Sequence, residues 1–150
     1  MAIRKKPKAE SKKVELIFDS GCSNHMTNFM NLTDKKDANF KIKGAFNNST
    51  DLAKIKGNLT FKDEDNRLFT LPNTLLVPNL RTNLLSIKKI CNTSENEEPK
   101  VVIFDKEQAY ILPKKKVMFQ SEESLLTAKV NRDGIYSAEI KLKKLKNEVP

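Results

Sequence analysis

Residues 16–27 read LIFDSGCSNHMT, and this stretch indicates a strand that leads into a loop with polar, reactive residues. It opens with three apolar residues that include a β-branched and an aromatic side chain, which favour a strand. Asp19, Ser20 and Gly21 follow at once as a turn signal. A carboxylate held at a strand end, followed by a small hydroxyl residue and a glycine that allows close backbone approach, suits a catalytic loop. The same tripeptide by itself also fits an ordinary turn.

Short apolar runs and alternating runs fill the rest of the chain. Residues 39–43 and 52–61 alternate with a period of two and predict a hairpin, with Gly57 at a bulge or a close approach. Further short strands are predicted at 67–71, 74–77, 100–104, 109–112, 117–119 and 125–130. Many short strands separated by turn residues indicate an all-β (mainly β) fold, either a barrel or a sandwich.

Two further signals interrupt the strand pattern. Asn83 is predicted to cap one helix of about two turns that ends near Ile90, because apolar residues there recur at helical spacing. Asp133 and Gly134 predict a turn near the end of the chain. The expected fold therefore contains one short helix.

The charge is concentrated at the two ends of the 150-residue chain. The net charge is +9, of which residues 1–13 carry +5 and residues 141–150 carry +3, so about +1 remains for residues 14–140. We therefore predict a basic flexible arm at 1–13, one domain at 14–140 and a basic C-terminal tail at 141–150. The near-neutral domain argues against a dedicated nucleic-acid surface, and weak RNA contact is expected only from the tails.

Cysteine and histidine are rare. The chain has two cysteines, Cys22 and Cys91, and one histidine, His25, with no pair at metal-ligand spacing. We therefore predict no metal and no cofactor, and we interpret His25 as structural support for its loop rather than as a ligand or base. A hydrolase built on Ser23 or Cys22 with His25 is disfavoured, because sequence neighbours rarely form a triad. No apolar run has the length of a spanning helix, so no membrane contact is expected.

Three segments carry a family resemblance. Residues 16–27 resemble the signature opening of Copia-type (Pseudoviridae) LTR-retrotransposon aspartic proteases, which are retropepsin-like. Residues 75–87, LLVPNLRTNLLSI, resemble the family segment in which a strand ends at proline and leads into a short helix. Residues 133–136, DGIY, are similar to the Gly-Leu-Tyr that closes the family domain. The three matches occur in the family order.

The resemblance implies a retropepsin-like small closed β-barrel with one short helix, acting as a homodimer. Asp19 would be the catalytic residue of each copy, and no second Asp-Ser/Thr-Gly tripeptide occurs in this sequence to complete a site within one chain. Ser20, Gly21, Cys22 and Ser23 would support the active-site loop. Two copies would then associate about a two-fold axis and bring their aspartates together.

The resemblance also implies a flap that closes over the substrate. Its predicted residues are Gly44, Ala45, Phe46, Asn47 and Asn48. The segment departs from the family pattern, which usually has an Asp-Gly tip, because no glycine lies at the tip here. This departure motivates an alternative in which the fold is kept and catalysis is weakened or lost.

The function that follows is an aspartic endopeptidase, a homodimer that processes a retrotransposon Gag-Pol polyprotein by water attack on peptide bonds. Its partners are a second copy and the polypeptide substrate, and its expected location is the cytoplasm, within virus-like particles. The alternative is a catalytically weakened or inactive retropepsin-like dimerisation or binding module that contacts RNA through its basic arms. A nucleic-acid-binding protein that relies on those arms is the third interpretation.

Overall fold

The computed structural model describes residues 13–43 and 50–143. The chain divides into two compact units, the first ending at Asn92 and the second beginning at Thr93. In the first unit the elements are β1 (Leu16–Asp19), β2 (Met26–Thr27), β3 (Thr33–Lys43), β4 (Thr50–Lys62), β5 (Leu68–Leu76), β6 (Asn83–Ser86) and α1 (Ile87–Cys91). The second contains β7 (Lys100–Phe104), β8 (Ala109–Pro113), β9 (Lys129–Val130), β10 (Tyr136–Ser137) and 3₁₀ turns at Lys114–Lys116 and Ser121–Glu123. The prediction of a mainly β fold with one short helix is confirmed.

A six-stranded sheet forms the first unit, in the order β1-β6-β2-β5-β4-β3. β1 pairs with β6 in parallel, and β2 lies between β6 and β5, antiparallel to the first and parallel to the second. β3, β4 and β5 follow as an antiparallel meander. The end of β1 therefore lies beside the end of β6, although these strands are far apart in sequence.

The core of this unit lies on the central strands. Ala53, Leu75 and Val77 form a buried apolar cluster, and Met26 and Leu80 pack against it. Burial of such side chains is the main favourable contribution to folding, at roughly 25 cal/mol per Å² of apolar surface. The short strand β2 pairs with β5 on one side and with β6 on the other, which holds the end of the loop that precedes it.

The hairpin predicted within residues 40–61 is present, and it is longer than predicted. β3 and β4 pair in antiparallel register over most of their length. Gly57 lies at a close approach, as predicted, because a Cβ added there would stand 2.8 Å from both Leu32 Cβ and the Thr33 carbonyl oxygen. The predicted flap residues Gly44, Ala45, Phe46, Asn47 and Asn48 lie outside the described residues.

The prediction of two separate strands at 67–71 and 74–77 is wrong, because β5 continues through both. Pro72 and Asn73 together stand opposite one residue of β4, since Leu71 pairs with Leu59 and Thr74 pairs with Gly57. This two-against-one arrangement is a β-bulge, and Asn73 has a φ of 52° that suits it. The Thr74 hydroxyl donates to the Leu71 carbonyl across the bulge at 2.8 Å. The bulge removes the need for a Pro72 donor while the strand continues.

The predicted helix start at Asn83 is also wrong. Residues 83–86 form β6, and the helix begins at Ile87 with Ser86 as its N-cap, whose hydroxyl accepts from Lys89 N. The side chain of Asn83 is engaged by other strands and does not cap. The apolar residues Leu84 and Leu85 are compatible with either a helix or a strand, so the sequence pattern leaves both open. Their pairing with Ile17 and Phe18 of β1 makes this segment a strand.

The second unit consists of small pieces. The strands predicted at 100–104 and 109–112 are present as β7 and β8, which pair as an antiparallel hairpin. β9 and β10 form a second hairpin around the predicted turn, in which Gly134 has a φ of 76°. The strand predicted at 117–119 is absent, and only residues 129–130 of the predicted strand 125–130 form one. Among the described residues, no other strand pairs with 117–119 or with 125–128. Met118 and Leu125 are fully or almost fully exposed.

No helix among the described residues is both long and apolar enough to cross a membrane.

Candidate active site

Asp19 is the last residue of β1, and its side chain is partly exposed. In the ladder with β6 it stands directly opposite Ser86, which is the last residue of that strand. The two strand ends run in the same direction, so the loop that leaves Asp19 and the helix that leaves Ser86 start side by side. A carboxylate is thereby presented at the edge of the sheet on a rigid element, as a catalytic loop requires.

The loop after Asp19 is closed by bonds within itself. The backbone N–H of Gly21 donates to Asp19 Oδ1 at 2.7 Å, which orients the carboxylate. The Cys22 thiol donates to the Asp19 carbonyl at 3.6 Å. A Cβ on residue 21 would lie 3.2 Å from Asp19 Oδ1, tighter than an ordinary contact, so the glycine permits this approach.

Ser86 joins this loop to the rest of the sheet. Its hydroxyl donates to the Cys22 carbonyl at 2.7 Å and accepts from Lys89 N at 3.2 Å. Its backbone N–H donates to His25 Nδ1 at 2.9 Å. Ser86 is completely buried, so these bonds are shielded from competing water.

His25 is a buried structural residue, with 2% of its surface exposed. Burial lowers the pKa of the imidazole from 6.5 to about 4, and the positive charge of Lys89 acts in the same direction. The ring is therefore neutral at pH 7 and can accept from Ser86 N through Nδ1. The sequence-based interpretation of His25 as support for the active-site loop agrees with this geometry. Among the described residues, no group of three or more side chains is arranged to hold a metal ion.

Asn83 ties the far ends of the same strands together. Its Oδ1 accepts from the buried Thr27 hydroxyl at 2.6 Å and from Asn28 N at 3.4 Å. Its Nδ2 donates to the Glu15 carbonyl at 3.3 Å. One amide thus connects the start of β1, the end of β2 and the start of β6, and it fixes the register of the strands that carry Asp19 and His25.

Cys22 is partly buried, and its thiol is not activated. Burial raises its pKa, and the neighbouring Asp19 carboxylate raises it further. Because the thiolate is the reactive form, a raised pKa lowers the reactivity of the thiol at neutral pH. This environment disfavours a nucleophilic role for Cys22.

The structure therefore brings together most of the predicted loop. Asp19, Gly21 and Cys22 are joined by the bonds described above, while Ser20 and Ser23 are exposed. Among the described residues, the Ser23 hydroxyl has one hydrogen bond, which it accepts from Asn24 Nδ2 at 3.3 Å. Within the described part of the chain, the Ser20 hydroxyl has no hydrogen-bond partner.

One family model matches this chain. It is described as Pol polyprotein, beta-barrel domain, and it matches residues 16–97, more than half of the sequence. The chain belongs to this family. It is therefore related to the Pol polyproteins of retroelements. No curated protein and no solved structure matches it significantly.

The match to the Pol polyprotein beta-barrel domain covers the whole candidate site. It begins at the first residue of β1 and extends beyond α1, so it includes Asp19, His25, Asn83 and Ser86. It also includes both strands of the long hairpin. The second unit lies almost entirely outside the matched range.

Three residues of this Pol domain site were missed at the sequence level. Thr27, Asn83 and Ser86 are buried polar residues with defined hydrogen-bond partners. A signal for them exists, because each lies within or beside a short apolar run, where a polar residue must find a partner if the run is buried. Which partner each finds depends on the pairing of distant strands, which local pattern does not reveal.

Proposed function

We propose that this Pol domain is a Copia-type, retropepsin-like aspartic endopeptidase in which two copies each supply one catalytic Asp19. The observation that carries the proposal is the Asp19 loop itself. A carboxylate ends a strand and accepts the Gly21 N–H at 2.7 Å, and the loop that follows it is held by the Ser86 hydroxyl, which donates to the Cys22 carbonyl. Family membership in a retroelement Pol domain supports the same assignment.

The need for a second copy follows from the number of catalytic groups. Activation of water by this chemistry uses two carboxylates, and the sequence has one Asp-Ser-Gly loop. The Ser20 hydroxyl is exposed and has no partner within the described part of the chain, so it is available to bond across a two-fold axis.

The mechanism assigns complementary tasks to the two Asp19 carboxylates. Held close together, they share one proton, because two like charges at that separation do not both ionise. The ionised carboxylate draws a proton from a bound water, which attacks the scissile carbonyl. The protonated carboxylate stabilises the oxyanion and then protonates the leaving amine. Ser20 and Gly21 would hold the two loops together.

The substrate that fits a retroelement Pol context is the element's own Gag-Pol polyprotein. Processing would take place in cytoplasmic virus-like particles, where high local concentration favours dimers. The basic residues of 1–13 and 141–150 would add weak, salt-dependent RNA contact. These roles require no cofactor, because water activation by the carboxylate pair is sufficient.

Cleavage of a precursor that contains the flanking junctions of this domain tests the proposal. Wild-type protein and Asp19→Asn are compared across a range of concentrations. The proposal requires wild-type cleavage that rises more steeply than linearly with concentration and a silent mutant. Cleavage by neither protein would indicate the non-catalytic module instead, and equal cleavage by both would remove Asp19 from the mechanism.

A further inference from the structure

Ser86 occupies an unusual place with respect to the Asp19 loop, because one residue contacts the loop at its start, middle and end. At the start, Ser86 is the ladder partner of Asp19. In the middle, its hydroxyl donates to the Cys22 carbonyl at 2.7 Å. At the end, its N–H donates to His25 Nδ1 at 2.9 Å.

The middle contact is the one that restrains the loop most directly. Among the hydrogen bonds of residues 13–43 and 50–143, the other side-chain bonds of residues 20–24 either remain within the loop or lead to Ser86 itself, whose side chain also interacts with the Cys22 thiol. The bond from Ser86 Oγ to the Cys22 carbonyl is therefore their link to the sheet. Without it, the loop between Asp19 and His25 would be fastened only at its two ends.

Ser86 itself is held rigidly on both sides. It is the last residue of β6, an interior strand of the sheet, and it is the N-cap of α1. Its hydroxyl accepts from Lys89 N at 3.2 Å while it donates to Cys22. Donation and acceptance by one hydroxyl fix the direction of its hydrogen. The bond from Lys89 N at the start of α1 therefore leaves the Ser86 hydroxyl hydrogen directed towards the Cys22 carbonyl.

We propose that Ser86 is a positioning residue for the Asp19 carboxylate, which acts by anchoring the Cys22 carbonyl. This inference rests on the proposed protease function, since positioning matters for catalysis only if Asp19 reacts. A misplacement of about 1 Å at a reacting group can cost on the order of a hundredfold in rate. The anchor therefore affects the chemical step more than substrate binding.

The test compares variants that each remove a buried hydroxyl. Ser86→Ala removes the donor to Cys22, and Thr74→Val removes a similar donor at 2.8 Å to the Leu71 carbonyl, away from the loop. Both residues are fully buried, so each variant loses a buried hydroxyl, and Ser86→Ala also loses the N-cap bond of α1. The free energy of unfolding of each variant is therefore measured beside its kinetics. Ser86→Thr restores a hydroxyl at the same position and tests rescue.

The expected result separates positioning from stability. Ser86→Ala lowers kcat by about tenfold or more with little change in KM, Thr74→Val leaves both near wild type, and Ser86→Thr recovers most of kcat. If Ser86→Ala does not fold, Ser86→Cys provides a weaker donor of similar size, and an intermediate kcat is expected. A kcat within about twofold of wild type in a folded variant without the hydroxyl would overturn the inference.

A second measurement does not depend on catalysis. NMR relaxation dispersion of the amides of residues 20–24 should show new exchange in Ser86→Ala and none in Thr74→Val. If the wild-type protein cleaves nothing, the proposed function fails while this result still decides whether Ser86 anchors the loop. Unchanged loop signals in Ser86→Ala would refute the anchor.

Discussion

Acidification provides a quantitative test of the buried His25. The imidazole has a pKa of about 4 in the fold, against 6.5 ordinarily, because burial disfavours its charged form. The unfolded chain therefore binds a proton more readily between these two values, and stability falls as the pH is lowered through this window. The contribution is fully present above pH 6.5 and is lost progressively towards pH 4.

The magnitude follows from the separation of the two values. Each pKa unit corresponds to about 1.4 kcal/mol, so acidification from pH 7.5 to pH 4 should remove about 3 kcal/mol of folding free energy through His25. Protonation also puts a hydrogen on Nδ1, which can then no longer accept from Ser86 N. The end of the Asp19 loop is released by the same event.

Urea unfolding of wild type and His25→Gln at several pH values measures this contribution. Other groups titrate in both proteins, so the difference between the two pH profiles reports His25. Because the chain has one histidine, its ring protons can also be followed directly by NMR. A folded-state pKa near 6.5, or equal pH profiles for the two proteins, would refute the reasoning.

Three other perturbations test the packing around the site. Asn83→Ala should lower the free energy of unfolding by about 2–4 kcal/mol in urea titrations, because the buried Thr27 hydroxyl loses its acceptor. The control Asn58→Ala removes a hydrogen bond at the surface and should cost under about 1 kcal/mol. Gly57→Ala should cost about 1–3 kcal/mol by the same measurement, since its Cβ would clash at 2.8 Å; an unchanged midpoint would contradict this. In a Cys91→Ser background, Cys22 should react with a disulfide reagent more slowly in the folded protein than in urea, since its pKa is raised; faster reaction when folded would contradict this.

Much of the local structure could be predicted from the sequence because it depends on neighbours along the chain. The strand before Asp19, the close approach at Gly57 and the turn at Gly134 all follow from residue type and spacing. Alternation likewise indicated the β3 and β4 hairpin. Residue type and spacing within each segment were enough to predict these features, although the residues that approach Gly57, Leu32 and Thr33, lie 25 and 24 positions earlier in the chain.

The remaining features depend on pairing between distant segments. The place of β6 between β1 and β2 is set by parallel pairing of Leu16–Asp19 with Asn83–Ser86, more than sixty positions away. The same pairing turns a helical pattern into a strand and delays the helix to Ile87. The role of Ser86 was hidden for this reason, since its partners, Cys22 and His25, are supplied by another strand and its loop.

Mixing wild-type protein with Asp19→Asn tests most directly the claim that two chains build one active site. With tight random pairing, an equal amount of mutant should reduce the activity of a fixed amount of wild type to about half, and a threefold excess to about a quarter, because mixed dimers have one carboxylate. Activity that stays constant as mutant is added, while both proteins remain folded, would contradict the account.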